Sequence, residues 1–117
     1  MKVLIADDDA RMRQMLRQTV AGVATDFCEA DDGDAAVAAY AAQRPDWVLM
    51  DLRMKPTSGL AATRQIKARF PDARILIVTQ YDEPDLRRAA QEAGACGYVL
   101  KENLSTVTRI VEAASQL

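Results

Sequence analysis

Five polar side chains in this sequence follow apolar segments of three or four residues. They are Asp7, Asp8, Asp51, Thr79 and Lys101. Neighbouring carboxylates repel one another, and a bound divalent cation relieves that repulsion. A set of oxygen ligands favours Mg²⁺, which commonly binds a substrate phosphate as well. At such a site Asp51 could attack phosphorus and form an aspartyl phosphate, while the ammonium and hydroxyl groups offset charge on the phosphoryl oxygens.

Strands that alternate with helices must bring these side chains together. The apolar runs predict strands at 2–6, 26–30, 46–51, 74–78 and 97–100. The regions between and after these strands have the spacing of helices. Predicted helices include 34–43, one that ends at residue 69, and 104–116. The pattern at 26–30 is weaker and more polar than the others, as is typical of an edge strand. The chain therefore reads as five βα units.

Five βα units predict a doubly wound α/β fold with a parallel sheet in the order 2-1-3-4-5, the flavodoxin-like arrangement. Ligands bind such sheets where the strand order reverses, between strands one and three. Asp7 and Asp8 end strand one and Asp51 ends strand three, so topology and chemistry point independently to the same place.

Local signals give further expectations about element ends. Asp9 is a candidate N-cap for the first helix and Gly22 a candidate stop for it. Asp82 is expected to cap the fourth helix, with Pro84 in its first turn. The alternation around Tyr98 allows a core aromatic or a half-exposed edge residue, and the sequence alone favours the core.

Composition limits the classes of protein that fit. A chain of 117 residues with 50% hydrophobic and 27% charged residues predicts one globular domain covering 1–117. A net charge of −2 and only short basic runs argue against direct nucleic-acid binding. The first residues resemble neither a signal peptide nor a membrane span, which predicts a cytoplasmic protein without a membrane partner.

Cysteine and histidine content narrows the chemistry. Cys28 and Cys96 fall on or beside strands two and five, the opposite edges of the sheet, so no disulfide is expected. The sequence has no histidine. A histidine metal site, a Ser-His-Asp triad and a Cys-His pair are therefore excluded.

Each candidate residue also has a simpler interpretation. The aspartates at 7–9 could only begin a helix, Asp51 could be a turn residue, Thr79 a strand end and Lys101 a solvated lysine. Each of these is individually more probable than a functional role. Jointly they require four strands to end by chance in complementary groups, which favours a shared site.

These residues resemble a known family. Asp7-Asp8, the segment 48–51 with Gly59 eight residues after Asp51, Thr79, Tyr98 and Lys101 together resemble the receiver domain of bacterial two-component response regulators. The resemblance covers essentially the whole chain. The segment 94–101 is most similar to receivers of the NarL/FixJ group, which usually precede a helix-turn-helix DNA-binding domain.

The resemblance implies a role for each matching residue. Asp51 would accept a phosphoryl group from a phosphohistidine of a sensor kinase. The implied Mg²⁺ ligands are Asp8, Asp7 through water, Asp51 and the backbone carbonyl of Arg53. Thr79 and Lys101 would bind the phosphoryl oxygens.

The resemblance also implies a switch and an output. Tyr98 would turn inward when Thr79 shifts, changing the face of helix four, strand five and helix five. The chain would be a signalling switch rather than a turnover enzyme. Its output would be transcription through a DNA-binding domain outside this chain, with possible homodimer formation on phosphorylation through helices one and five or through the helix-four face.

Three positions differ from the usual receiver pattern. Lys55 precedes Pro56 where proline commonly follows the methionine directly, Gln80 stands where a small residue is frequent, and Glu102 replaces a frequent proline, which makes a cis bond after Lys101 improbable. Arg53 and Tyr81 flank the expected route of an attacking water. Shielding by the long guanidinium predicts slow loss of the phosphoryl group.

Three alternatives compete with this reading. A haloacid-dehalogenase type phosphatase needs a second acid two residues after its nucleophile, where Arg53 stands. A flavin-binding domain needs a glycine- and hydroxyl-rich loop after strand one, where 7–9 is acidic. A pseudo-receiver that only binds proteins is supported by the loop differences alone. The sequence identifies neither the kinase, the signal nor the output.

Overall fold

A computed structural model of the chain describes residues 1–115. The strands are β1 (Lys2–Ala6), β2 (Asp26–Ala30), β3 (Trp47–Met50), β4 (Ile75–Thr79) and β5 (Gly97–Leu100). The helices are α1 (Ala10–Thr19), α2 (Gly33–Gln43), α3 (Gly59–Arg69), α4 (Pro84–Ala93) and α5 (Leu104–Ser115), with a 3-10 turn at Lys101–Asn103.

The five strands form one parallel sheet in the order β2-β1-β3-β4-β5. This confirms the predicted doubly wound, flavodoxin-like arrangement. The interior strands β3 and β4 are completely buried and, apart from Thr79 at the end of β4, apolar, because helices cover both faces of a doubly wound sheet. Strand β2 is only partly buried, as predicted for an edge strand.

Alternate strand residues supply two hydrophobic cores, one on each face. The core under α2, α3 and α4 includes Leu4, Tyr40, Met50, Ile66, Ile77 and Ala90. The core under α1 and α5 includes Ile5, Leu16, Leu49, Val78, Val107 and Val111. These two layers fix the strand register and hold the carboxyl ends of β1 and β3 side by side.

The helix caps only partly follow the expectations. Asp9 caps α1, because its side chain accepts a hydrogen bond from the amide of Arg11 at 2.9 Å. The predicted cap at Asp82 is wrong. Glu83 occupies the N-cap position of α4, without a side-chain cap bond, and Asp82 instead accepts from Arg87 Nε at 2.8 Å. Pro84 explains the shift, since the residue before a proline is restricted to extended backbone.

Other element ends differ by small steps. Helix α1 ends at Thr19, before the predicted stop at Gly22, and the fully buried Val20 forms its C-cap. Helix α2 begins one residue earlier than predicted and β4 ends one residue later. Residue 116, the predicted end of the last helix, lies outside the described residues.

Both cysteines are free thiols, as expected from their places at opposite edges of the sheet. Cys28 lies in β2 and Cys96 directly precedes β5. Within residues 1–115, no helix combines the length and the hydrophobicity needed to cross a membrane.

Candidate functional site

Three carboxylates meet at the end of the sheet where the strand order reverses. Asp7 is fully buried, Asp51 is 5% exposed, and Asp8 is exposed. One oxygen atom from each lies within 4.8 Å of the others. The arrangement follows from the pairing of Ala6 with Met50 in neighbouring parallel strands, which places the next residue of each strand at the same edge.

The backbone holds these acids firmly. The amide of Asp7 donates to Ala30 in β2 at 3.0 Å, and the amide of Asp51 donates to Ala6 in β1 at 2.9 Å. Asp7 Oδ1 also accepts from the amide of Asp9 at 2.9 Å. The hydrogen bonding of the sheet thus continues one residue beyond β1 and β3 and fixes the backbone positions of Asp7 and Asp51.

Lys101 reaches the cluster from the end of β5. Its ammonium nitrogen lies 2.9 Å from Asp7 Oδ2 and 3.5 Å from Asp51 Oδ1. Burial alone would lower the pKa of Lys101, but the close ion-pair contact with Asp7 and the charges of Asp51 and Asp7 outweigh it and raise that pKa. The lysine therefore stays charged beside the acids.

Burial dominates the electrostatics of Asp51. Desolvation raises the pKa of its carboxyl group from 3.8 to about 6, and the charges of Asp7 and Asp8 add to the effect. The charge of Lys101 and its hydrogen bond act in the opposite direction without cancelling the shift. Without a further cation, Asp51 shares this edge of the sheet with two other acids at an unfavourable electrostatic cost.

The donor set fits a hard divalent cation. All three candidate ligands are carboxylates, which suit an ion that prefers oxygen. Asp7 Oδ2 is buried and, among the described residues, has no hydrogen bond of acceptable geometry, although Lys101 lies close by. A cation at this edge would satisfy that oxygen and lower the repulsion between the acids.

The loop after Asp51 is pressed against it. A Cβ atom added at Gly59 would lie 1.7 Å from the backbone oxygen of Asp51, so only glycine fits there. The loop is tied at its far end by Thr57, whose carbonyl accepts from the amide of Gly33 at 2.9 Å and whose hydroxyl donates to Asp34 at 2.8 Å. The peptide bond between Lys55 and Pro56 is cis.

A cavity of about 240 Å³ opens over Asp51. Its lining residues are Asp8, Asp9, Asp51, Arg53, Gln80, Tyr81 and Lys101. The Arg53 guanidinium lies over the Tyr81 ring, 4.1 Å from its centroid. Gln80 is exposed at the rim. Of the positions that differ from the usual pattern, Gln80 therefore borders access to Asp51, together with Arg53 and Tyr81.

Thr79 and Tyr98 are joined through Tyr81. Thr79 is fully buried, and its hydroxyl oxygen accepts from the amide of Tyr81 at 3.3 Å. The Tyr98 hydroxyl donates to the backbone carbonyl of Tyr81. Tyr98 is half-buried, so its predicted place as core filler is wrong; Arg87 lies 4.6 Å from its ring centroid on the outer side. A four-residue strand is too short for alternation to distinguish the two settings.

Sequence reasoning missed Arg13. Its guanidinium donates to the Asp7 carbonyl at 2.6 Å and to Glu29 at 2.9 Å. The available signal was spacing, since Arg13 stands four residues after the cap Asp9 and so returns one helical turn later to the same side. That spacing alone does not reveal a contact with a backbone oxygen.

The fold and the site agree with a known family. The family model described as response regulator receiver domain matches residues 3–114. The chain belongs to this receiver domain family. This confirms the resemblance inferred from the acidic pair, the strand ending at Asp51, Thr79 and Lys101.

Relatives of the receiver domain include regulators of transcription. It is 40% identical over 116 residues to the transcriptional regulatory protein YdfI of Bacillus subtilis, covering 97% of this chain and 54% of that protein. It is 39% identical over 110 residues to the oxygen regulatory protein NreC of Staphylococcus epidermidis, and the match covers 88% of this chain and 49% of that protein. The chain thus spans about half the length of these curated relatives.

The signal receiver domain of the response regulator NarL from Mycobacterium tuberculosis has a similar structure. The TM-score is 0.90 at 27% sequence identity, and the match covers 98% of this chain and 95% of that chain. The receiver domain described here therefore has the same fold as this NarL domain.

Proposed function

We propose that this receiver domain is a phosphorylation-dependent signalling switch in which Asp51 accepts a phosphoryl group. The observation that carries the proposal is the meeting of three carboxylates and the Lys101 ammonium at one edge of the sheet, under an open cavity. The donor would be a phosphohistidine of a sensor histidine kinase, the partner that family membership suggests.

Asp51 has the chemistry of the acceptor. One carboxylate oxygen forms a bond to phosphorus while the bond from phosphorus to the donor nitrogen breaks, and the donor imidazole keeps the electron pair. The cavity over Asp51 leaves room for that approach. The product is a mixed anhydride, so the domain is altered by the reaction and does not act as a turnover enzyme.

Asp7, Asp8, Asp51 and the backbone carbonyl of Arg53 would hold Mg²⁺. The carboxylates supply the hard oxygen ligands, and the buried Asp7 Oδ2, which already attracts the Lys101 ammonium, supports a cation nearby. When bound, Mg²⁺ would neutralise charge that builds up on the phosphoryl oxygens.

Lys101 and Thr79 would bind the transferred group. Lys101 already lies 3.5 Å from Asp51 Oδ1, so an ion pair with a phosphoryl oxygen needs little movement. The Thr79 hydroxyl oxygen accepts from the Tyr81 amide, and a side-chain rotation that carries this oxygen toward a phosphoryl group would break that bond. The phosphoryl group and the segment after β4 therefore compete for one side chain.

This competition gives a route from Asp51 to Tyr98. Tyr81 is held at its amide by Thr79 and at its carbonyl by Tyr98. Loss of the first bond loosens the residue that anchors the Tyr98 hydroxyl. Phosphorylation would then free the Tyr98 hydroxyl, let the ring turn further inward and alter the face made by α4, β5 and α5.

The output follows from the relatives rather than from this chain. YdfI is named a transcriptional regulatory protein and NreC an oxygen regulatory protein, and both are about twice as long as the matched segment. We propose a cytoplasmic regulator whose DNA-binding region lies outside these residues and which forms a homodimer when phosphorylated.

Incubation with acetyl phosphate, with Mg²⁺ or with EDTA, tests the proposal through the intact mass of the chain. The expected result is a gain of one phosphoryl group that requires Mg²⁺ and is lost in Asp51→Asn. No gain under any condition would contradict the proposal and favour a pseudo-receiver that acts only by binding proteins, the alternative that the unusual loop at Lys55 and Pro56 supports.

A further inference from the structure

Arg13 links helix α1 to the acidic end of strand β1. Its Nη1 atom donates to the backbone oxygen of Asp7 at 2.6 Å, and its Nε atom donates to Glu29 Oε1 at 2.9 Å. The Arg13 side chain is only 19% exposed, whereas the Glu29 side chain is 39% exposed. One planar guanidinium thus bridges a backbone carbonyl and a carboxylate from two different elements.

The contact completes the restraint of Asp7. Its amide donates to Ala30, its Oδ1 atom accepts from the Asp9 amide, and its carbonyl accepts from Arg13. The carbonyl belongs to the peptide unit that leads to Asp8. Fixing that unit fixes the direction in which the exposed Asp8 carboxylate leaves the backbone.

We propose that Arg13 is a positioning residue for the cation site, holding the Asp7–Asp8 peptide so that both carboxylates face Asp51. The inference rests on the proposed Mg²⁺ function of these acids. Arg13 bonds to a backbone oxygen and to Glu29 and donates no hydrogen bond to the three carboxylates of the cluster among the described residues. It acts on the cation only through the geometry of the turn and through its charge.

Geometry and charge have opposite effects on cation affinity. A fixed positive charge near the acids repels Mg²⁺, so removing it should tighten binding. A loosened turn should weaken binding, because an octahedral ion tolerates little displacement of its ligands. The guanidinium bonds at two points and is mostly buried, which favours geometry as the larger effect.

Two substitutions separate these effects. Arg13→Lys keeps the positive charge but removes the planar two-point contact, and Arg13→Gln removes both. Positioning predicts that both variants raise the Mg²⁺ dissociation constant about tenfold, as for other groups that orient metal ligands. A charge effect predicts tighter binding by Arg13→Gln and no change in Arg13→Lys.

Arg17 provides a matched control. It contacts the same Glu29, at 3.4 Å, from the next turn of α1, but it makes no bond to the Asp7 carbonyl. Arg17→Gln and Arg17→Lys should change the dissociation constant by no more than about twofold, the scale of an exposed ion pair. A second probe is the Asp9 amide resonance, which should move in Arg13→Lys before any metal is added.

The measurement is calorimetric titration of the whole chain with MgCl₂, accompanied by urea unfolding in EDTA. Weaker binding in both Arg13 variants, with the Arg17 variants unchanged, is the expected result. Unchanged or tighter binding in Arg13→Gln, or an equal loss in Arg17→Gln, would overturn the positioning role, even if Arg13→Lys lowered stability. Failure of the wild-type chain to bind Mg²⁺ would overturn the proposed function as well, which distinguishes the two failures.

Discussion

Lys101 lies closer to Asp7 than to Asp51. Its ammonium nitrogen is 2.9 Å from Asp7 Oδ2 and 3.5 Å from Asp51 Oδ1. The lysine therefore supplies, in this structure, part of the positive charge that a divalent cation would bring to the same carboxylates. We expect it to compete with the ion for these acids and, under the proposed function, to bind the phosphoryl group.

Lys101→Met should separate these two roles. Removing the competing charge is expected to tighten Mg²⁺ binding about threefold to tenfold, the scale of two unit charges about 4 Å apart in water. The rate of phosphorylation by acetyl phosphate should fall about a hundredfold, because a donor to the phosphoryl oxygens is lost. Calorimetry and mass spectrometry measure the two effects. Lys2→Met, at the other end of β1, is the control, and weaker Mg²⁺ binding by Lys101→Met would contradict the competition.

The raised pKa of Asp51 predicts a pH-dependent stability difference. The folded carboxyl has a pKa of about 6 against 3.8 for the ordinary value, so the folded state binds its proton more tightly than the unfolded state. The resulting stabilisation is full below about pH 3.8 and is lost as pH rises through about 6. Above that range the charged Asp51 destabilises the fold by up to about 3 kcal/mol.

Asp51→Asn should therefore stabilise the cation-free protein at pH 7.5 and have little effect near pH 4. Urea unfolding in EDTA at both pH values measures the difference between the two proteins, which cancels the contributions of the other acids. Mg²⁺ should shrink the difference at pH 7.5, since a bound cation stabilises the charged carboxylate. A difference that grows toward low pH would contradict the assignment.

Gly59 predicts a steric effect on the site. Alanine at this position would place its Cβ atom 1.7 Å from the Asp51 carbonyl oxygen, so the loop must move. Gly59→Ala is expected to lower the free energy of unfolding by at least about 2 kcal/mol and to weaken Mg²⁺ binding. Gly22→Ala is the control, because nothing lies within 4 Å of its added Cβ atom and its effect should stay within about 0.5 kcal/mol. If Gly59→Ala and Gly22→Ala were equally stable, the loop would have moved at no cost and the steric argument would be wrong.

The sheet order and the acidic cluster could be predicted because they depend on long apolar runs and on where those runs end. Asp7 and Asp51 follow directly from the reversal of strand order between β1 and β3. These features are set by the pattern of burial over many residues. A contact made by a single side chain does not change the strand order or the position of the acidic cluster.

Side-chain contacts were less predictable because each depends on the local backbone and on which of several nearby groups the side chain reaches. The N-cap of α4 is Glu83 and not the predicted Asp82, because Pro84 restricts the backbone of the residue before it. The contact of Arg13 with the Asp7 carbonyl depends on how α1 is rotated about its axis. Tyr98 is half-buried because its hydroxyl finds the Tyr81 carbonyl, a backbone group that no sequence pattern marks.

The stacked pair of Arg53 and Tyr81 predicts a long-lived phosphoryl group. The guanidinium lies 4.1 Å from the ring centroid, and both residues line the cavity over Asp51. Arg53→Ala and Tyr81→Ala should each speed loss of the phosphoryl group about two- to fivefold, the scale of an exposed cation–π contact. Intact mass followed over time after removal of acetyl phosphate measures the decay. Rapid decay in the wild-type chain, unchanged in both variants, would refute the shielding role.

The most direct test of the central claim is to locate the phosphoryl group. Borohydride reduces an acyl phosphate to an alcohol, which turns a phosphorylated aspartate into homoserine without affecting free carboxylates. After treatment with acetyl phosphate and Mg²⁺, peptide mapping should find homoserine at position 51 alone, and none when EDTA replaces Mg²⁺. Homoserine at Asp7 or Asp8, or at no position in a chain that binds Mg²⁺, would contradict the assignment of Asp51 as the phosphoryl acceptor.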